Sequence, residues 1–397
     1  MNKQFYVWML LLVCNNCFAQ VSVSKEDKAA VKAAACGGVA EVFKNIGSWK
    51  RYPENDLVFP DKTFPANQFS LLLGRIEKVL PIMKEALPDL GGLEPKWKGA
   101  IRGNSFVTNG PVPSAFDCLL FTYFCSPNAN KIFLGDEASA VCTIDFNGYG
   151  SHFTKEVYQW DTHNDGRMIS IYQLPEAIGK WKGLTIYEPK IGAGTPGLPE
   201  DRAVVIGHDG QMPWHVLTQK QYLTGYKNWL LKNKREQLES SDSYIKNMKQ
   251  NIADMQASKG LVPEEKKSAV QKLEQALKDF QDNGMQKTAS VAEKIYSDGV
   301  KPVNEYLDTA TAETLSQPAL LSKYGIIFKG YFAKQGEPGT KLISFTTKFF
   351  NTALPRYVPQ FIILYWRWST GDAASLKFAK EMENNFPVEK LRALIDK

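Results

Sequence analysis

The residues best placed to do chemistry fall in one short run, His208-Asp209-Gly210-Gln211-Met212-Pro213-Trp214-His215. The run follows an apolar stretch that reads as a strand and precedes one that reads as a helix, and strand ends are where a scaffold displays working side chains. His208, Asp209 and His215 bring two imidazoles and a carboxylate, groups that bind a metal or pass protons. They are the catalytic candidates. The plainer account is a tight Asp209-Gly210 turn with two histidines beside it, and neither a metal nor a cofactor is expected.

Other motifs fall short of a mechanism. Asp161-Thr162-His163-Asn164-Asp165-Gly166 opens like a calcium loop, but His163 holds the third position and Tyr172 the twelfth, where an oxygen donor and a glutamate are needed. A turn between two strands explains the same residues. Gly192-Ala193-Gly194-Thr195-Pro196-Gly197 lacks the lysine and hydroxyl of a phosphate loop. Ser151 has Phe153 where a hydrolase elbow needs glycine. Ser243 and Lys246 have an acyl-enzyme spacing without the companion motifs.

Aromatics are plentiful, and Trp214, Trp366 and Trp368 lie in or beside expected strands, where an exposed ring face would stack on a sugar. They are the ligand-binding candidates, with core packing as the commoner fate of such rings. Cys118, Cys125 and Cys142 crowd into strand-like sequence, so a disulfide joining two of them is expected, or else small buried hydrophobes. Cys36 sits in a patch of alanine and glycine with nothing nearby to activate a thiol.

The elements that must position these residues follow from periodicity. A helix is expected over residues 25–46 and a second over 65–86, where Phe69, Leu72, Leu73, Ile76, Val79 and Leu80 recur at helical spacing. From 98 to 208 short β-type runs alternate with turn signals, as in an antiparallel meander. From 218 the chain turns helical and charged. Thr218 and Gln221 fit a capping box, and residues 258–263 break the helix before a second stripe of Val270, Leu273, Leu277 and Phe280. That spacing predicts an antiparallel helical hairpin over 218–283, projecting from the body. Phe361-Ile362-Ile363-Leu364-Tyr365-Trp366 is apolar on both faces and reads as a central, covered strand. Two helices should close the chain.

Residues 1–19 carry Lys3, then an apolar run over 5–13, and end in Cys17-Phe18-Ala19, the order of parts of a cleavable export signal. Its removal lowers the formal charge by one, from +6, a mild excess that gives no argument for nucleic acid. No later segment approaches the roughly 20 apolar residues of a membrane helix.

The expected fold is therefore α+β, a largely antiparallel, meander-like sheet with flanking helices and an inserted helical hairpin. In domains, it reads as an export signal over 1–19, an α+β domain over 20–217, the hairpin insertion over 218–316, and a C-terminal segment over 317–397 that packs back on the first half. Such a chain would be exported to the periplasm, the cell surface or the medium of a bacterial-type cell. The expected function is a non-enzymatic binding or structural protein with a protein or glycan partner and the charged hairpin as interaction surface. The alternative is an exported hydrolase, directed at glycan or peptide and with or without the help of a metal, working from the region between His208 and His215.

Overall fold

The computed structural model describes residues 36, 38–58, 62–103, 105, 107–126, 130–148, 150–161, 168–190, 199–258, 260, 262–322, 328–334, 337 and 339–397. The expected export signal, most of the helix expected over 25–46, the calcium-like residues 162–166 and the glycine-rich 192–197 lie outside them.

Helix α1 (Val39–Phe43) leads to strands β1 (Lys50–Arg51) and β2 (Asp56–Val58). The helix expected over 65–86 is two helices, α2 (Gln68–Glu77) and α3 (Val79–Ala86). Pro81 stands in the first turn of α3, where its missing N–H breaks no bond, but it bars continuation from α2. Strands β3 (Leu93–Arg102), β4 (Ser114–Ser126) and β5 (Lys131–Phe146) follow as a meander. Short α4 (Gly150–Phe153) then carries the chain to β6 (Lys155–Asp161) and β7 (Met168–Leu174), and β8 (Glu176–Trp181), β9 (Leu184–Glu188) and β10 (Glu200–Ile206) form a second meander. After β11 (Trp214–Val216) come α5 (Gln219–Ala257), α6 (Pro263–Asp279), α7 (Met285–Ile295), α8 (Lys301–Thr309) and α9 (Ala312–Ser316). Strands β12 (Leu320–Ser322), β13 (Gly339–Phe345) and β14 (Ile362–Trp368) and helices α10 (Ala373–Asn385) and α11 (Val388–Arg392) complete the chain.

The fold is α+β, and the strand ladders are antiparallel except where β1 and β2 lie parallel to β3. One sheet has nine strands, ordered β1-β3-β4-β5-β14-β10-β9-β8 with β2 also on β3; the other has five, ordered β11-β13-β7-β6 with β12 on β13. Strand β14 joins the two meanders, since each of its residues pairs with β5 on one side and β10 on the other. That placement explains its apolar sequence, because both its faces are covered. Trp366 and Trp368 face a core shared with α2, α3, α10 and α11. Ile363 and Tyr365 face the five-stranded sheet, with Phe153, Trp214, Ile343 and Phe361. A third core lies between that sheet and the helical region. The path into β14 is fixed by Asn147, which donates to the Val358 carbonyl, and by Gln360, whose side chain bonds both the N–H and C=O of Asn351.

Helix α5 opens with the full capping box: Gln221 N–H donates to Thr218 Oγ1 at 3.2 Å, and Thr218 N–H donates to Gln221 Oε1 at 2.9 Å. It runs for 39 residues, about 58 Å at 1.5 Å per residue. The chain then returns along it. Gln219 meets Tyr306, Leu230 meets Gly299, Lys234 meets Glu293, Tyr244 meets Phe280 and Ser258 meets Lys266. The partner numbers fall steadily as the α5 numbers rise, which is antiparallel packing. The return is longer than the pattern over 218–283 predicted, because π-turns at Phe280–Gly284 and Tyr296–Val300 carry it onward from α6 through α7 to α8. The arm's root, with Tyr222, Leu223, Tyr226, Leu230, Val300 and Val303, is built into the third core.

Candidate functional site

The structure places the two histidines in different surroundings. His208 opens a short 3-10 turn after β10, its Nδ1 lies 2.6 Å from Asp396 Oδ2 near the C-terminus, and its ring packs on Phe349. His215 stands on β11 with Nδ1 3.3 Å from Thr346 Oγ1. Asp209 lies within the same 3-10 turn as His208. Among the described residues no three metal-ligating side chains gather anywhere. A surface hollow of about 470 Å³ lies along α10, lined by Phe43, Leu376, Lys377, Lys380 and Asn384, and none of the candidate residues reaches it.

The tryptophans are core residues. Trp366 is wholly buried, with Trp181 at 5.3 Å between ring centroids, and Trp368 and Trp214 are also buried. None offers an open ring face for a sugar.

The cysteines pair otherwise than their spacing predicts. The disulfide joins Cys125 to Cys36, a partner 89 positions away, and Cys118 and Cys142 are free thiols in the core. Cys118 and Cys142 nonetheless face each other across β4 and β5, and the backbone explains why they stay apart. Arg102 N–H donates to Pro113 C=O, so odd-numbered residues of β4 turn their peptide groups toward β3 and even-numbered ones toward β5. The cysteines thus occupy a hydrogen-bonded cross-strand pair, whose side chains stand farther apart than in the alternate kind. Burial pushes both thiols well above the usual cysteine range.

Much of the arm is exposed. Beyond its root, none of the described hydrophobic cores contains a residue between Leu230 and Ile295. Partway along, it packs on itself through Tyr244 and Phe280, whose ring centroids are 4.4 Å apart, and Ser241 and Met248 are buried there. Yet Leu231, Leu238, Tyr244, Val262, Met285, Val291 and Tyr296 remain exposed along it. Its first turns carry Lys220, Lys227, Lys232, Lys234 and Arg235 before any acid appears at Glu236. Ion pairs of Lys232 with Glu236, Lys234 with Glu293 and Arg235 with Glu239 cover part of that charge.

Among the described residues no helix is long and apolar enough to cross a membrane. Compared with known proteins, the chain matches no family model, no curated protein and no solved structure.

Proposed function

We propose that the chain is an exported, non-enzymatic binding protein in which the α+β body is the support and the helical arm carries the contact surface. The observation that supports this most is the arm's exterior. Leu231, Leu238, Val262, Met285 and Val291 stay exposed there among the charges, apolar surface that a partner would cover. The Cys36–Cys125 disulfide fits an oxidising compartment outside the cytoplasm. The partner is then a protein or glycan surface met there.

Excision of residues 236–290, closed by a short Gly/Ser turn, tests the reading. The cut falls above the Lys234 and Glu293 contact and leaves the root intact. Loop-closure cost grows slowly with length, so the melting temperature should stay within a few degrees. Binding of the labelled protein to the surface of the producing cell should disappear. Binding that persists after excision rejects the arm as the contact surface.

One observation favours a second reading as an exported hydrolase. His208 donates its Nδ1–H to Asp396 as an imidazole oriented by a carboxylate, which is half of a catalytic relay. On that reading His208→Ala lowers turnover of an ester, peptide or glycan substrate by 100-fold or more. Equal activity of wild type and variant across such a panel removes it.

A further inference from the structure

Strands β4 and β5 run past both of their neighbours in the large sheet. On one side β3 pairs with β4 only as far as Leu93 opposite Thr122, and on the other β14 pairs with β5 only from Trp368 opposite Ala140. Beyond those rows, Tyr123 to Ser126 pair with Lys131 to Leu134, and no described strand lies on either side. At about 3.3 Å per residue, the stretch from Tyr123 to Ser126 carries the ribbon roughly 13 Å clear of β3. A free two-stranded end is marginal in water, yet this one is braced. Cys125 is bonded to Cys36, and Cys36 N–H donates to Asn130 Oδ1 at 2.8 Å, which clasps the end of β4 to the start of β5.

The braced end is apolar. Phe124 and Phe133 are directly opposed across the ribbon, 48 % and 44 % exposed, and belong to none of the described cores. Cys125 follows Phe124 and so projects from the opposite face, where the bridge holds Cys36 and the α1 that follows it, with Val39 also exposed. Apolar side chains therefore stand on both faces. From Phe121 to Gly135 the sequence has a single charged residue, Lys131, which is exposed and shares the face of Phe133. Acids return only at Asp136 and Glu137, farther from the end.

We propose that this hairpin end is a membrane-contact wedge, which enters the headgroup region of an anionic bilayer with Phe124, Phe133 and Val39 at the acyl boundary and Lys131 on a lipid phosphate. A protein pocket meets a ribbon on one face, whereas a bilayer surrounds an inserted end and covers both. The open strand edges limit the depth, since unpaired N–H and C=O groups find no partners in hydrocarbon. The phenyl rings reach the boundary while the backbone stays among the headgroups. A cation ahead of the acids gives the end the sign that an anionic surface attracts, and the long stem of Lys131 lets its ammonium stay at phosphate level. The clasp holds the two rings in place beforehand, so contact costs little ordering.

The wedge is separate from the arm, and the test keeps the two apart. The protein isolated from its producing cell is sedimented with vesicles of phosphatidylcholine alone, and of phosphatidylcholine and phosphatidylglycerol in equal parts. Phe124→Ala and Phe133→Ala together should weaken binding to both kinds by about ten-fold or more. Lys131→Gln should weaken binding to the mixed vesicles alone, by about five-fold. These side chains are exposed, so the melting temperature should not move. In Phe133→Trp, the added indole should be quenched by lipid brominated near the headgroup end of its acyl chains, beyond the quenching of wild type. Protein with residues 236–290 excised should bind vesicles as wild type does. Wild type that ignores both vesicles, undiminished binding in the double alanine variant, an unquenched added indole, or binding lost with the arm overturns the wedge. Cell-surface binding that needs Phe124 while vesicles capture nothing also overturns it, in favour of a protein partner.

Discussion

Trp366→Ala should destabilise the protein by about 3–5 kcal/mol, the range for emptying a buried aromatic site. The residue is wholly buried in the core that also holds Phe378, Phe386 and Met382, and Trp181 leans on it. Its strand has partners on both sides, so the backbone has little freedom to close the void. Trp366→Phe should cost far less. The indole Nε1 is buried without a hydrogen-bond partner among the described residues, and its removal returns part of what the smaller ring loses. Urea unfolding of the three proteins separates these outcomes, and a loss below about 1 kcal/mol in Trp366→Ala is incompatible with a central strand.

Replacing Cys36 and Cys125 together by serine should cost roughly 2–5 kcal/mol. The bridge closes a loop spanning 89 positions, and cross-linking so long a segment removes much freedom from the unfolded chain. A reducing agent should lower the midpoint of wild type to that of the double variant and leave the variant itself unchanged. A reductant-insensitive midpoint in wild type would mean the bridge contributes nothing. Cys118→Ala, by contrast, should be a modest packing loss, because that side chain is a small hydrophobe opposite Cys142 in the core that also holds Met83.

Much of the fold could be read from pattern, and particular residues show where pattern stops. The apolar run around Ile363 announced a covered strand because only burial on both faces tolerates such a sequence. The capping box at Thr218 was legible because both partners lie within four residues. The start of β3 was not. Glu94, Lys96 and Lys98 alternate with apolar residues, but Pro95 reads as a breaker, and it is tolerated because its position pairs with Leu120 without a ladder bond. Cys36 could not be matched to Cys125 by spacing, since the contact depends on how α1 sits at the end of β4. The burial of Asp145 was hidden for another reason. Thr143 and Asp145 look like the solvent side of an alternating strand, and the second sheet covers that side only in three dimensions. The candidate residues near His208 were visible by type, while the partner Asp396 lies at the far end of the chain.

The position of β14 sets the order in which this molecule can be made. Asn147 waits for Val358, 211 positions later, and Gln360 bonds back to Asn147 across 213. Until those residues leave the ribosome, β5 and β10 each present a raw strand edge, and each would accept a stranger's strand as readily as β14. Contacts so distant in sequence form slowly. A chain halted before Ile362 would therefore be a sticky pair of half-sheets rather than a smaller folded protein, and its producing cell must shield those edges until the last strand arrives.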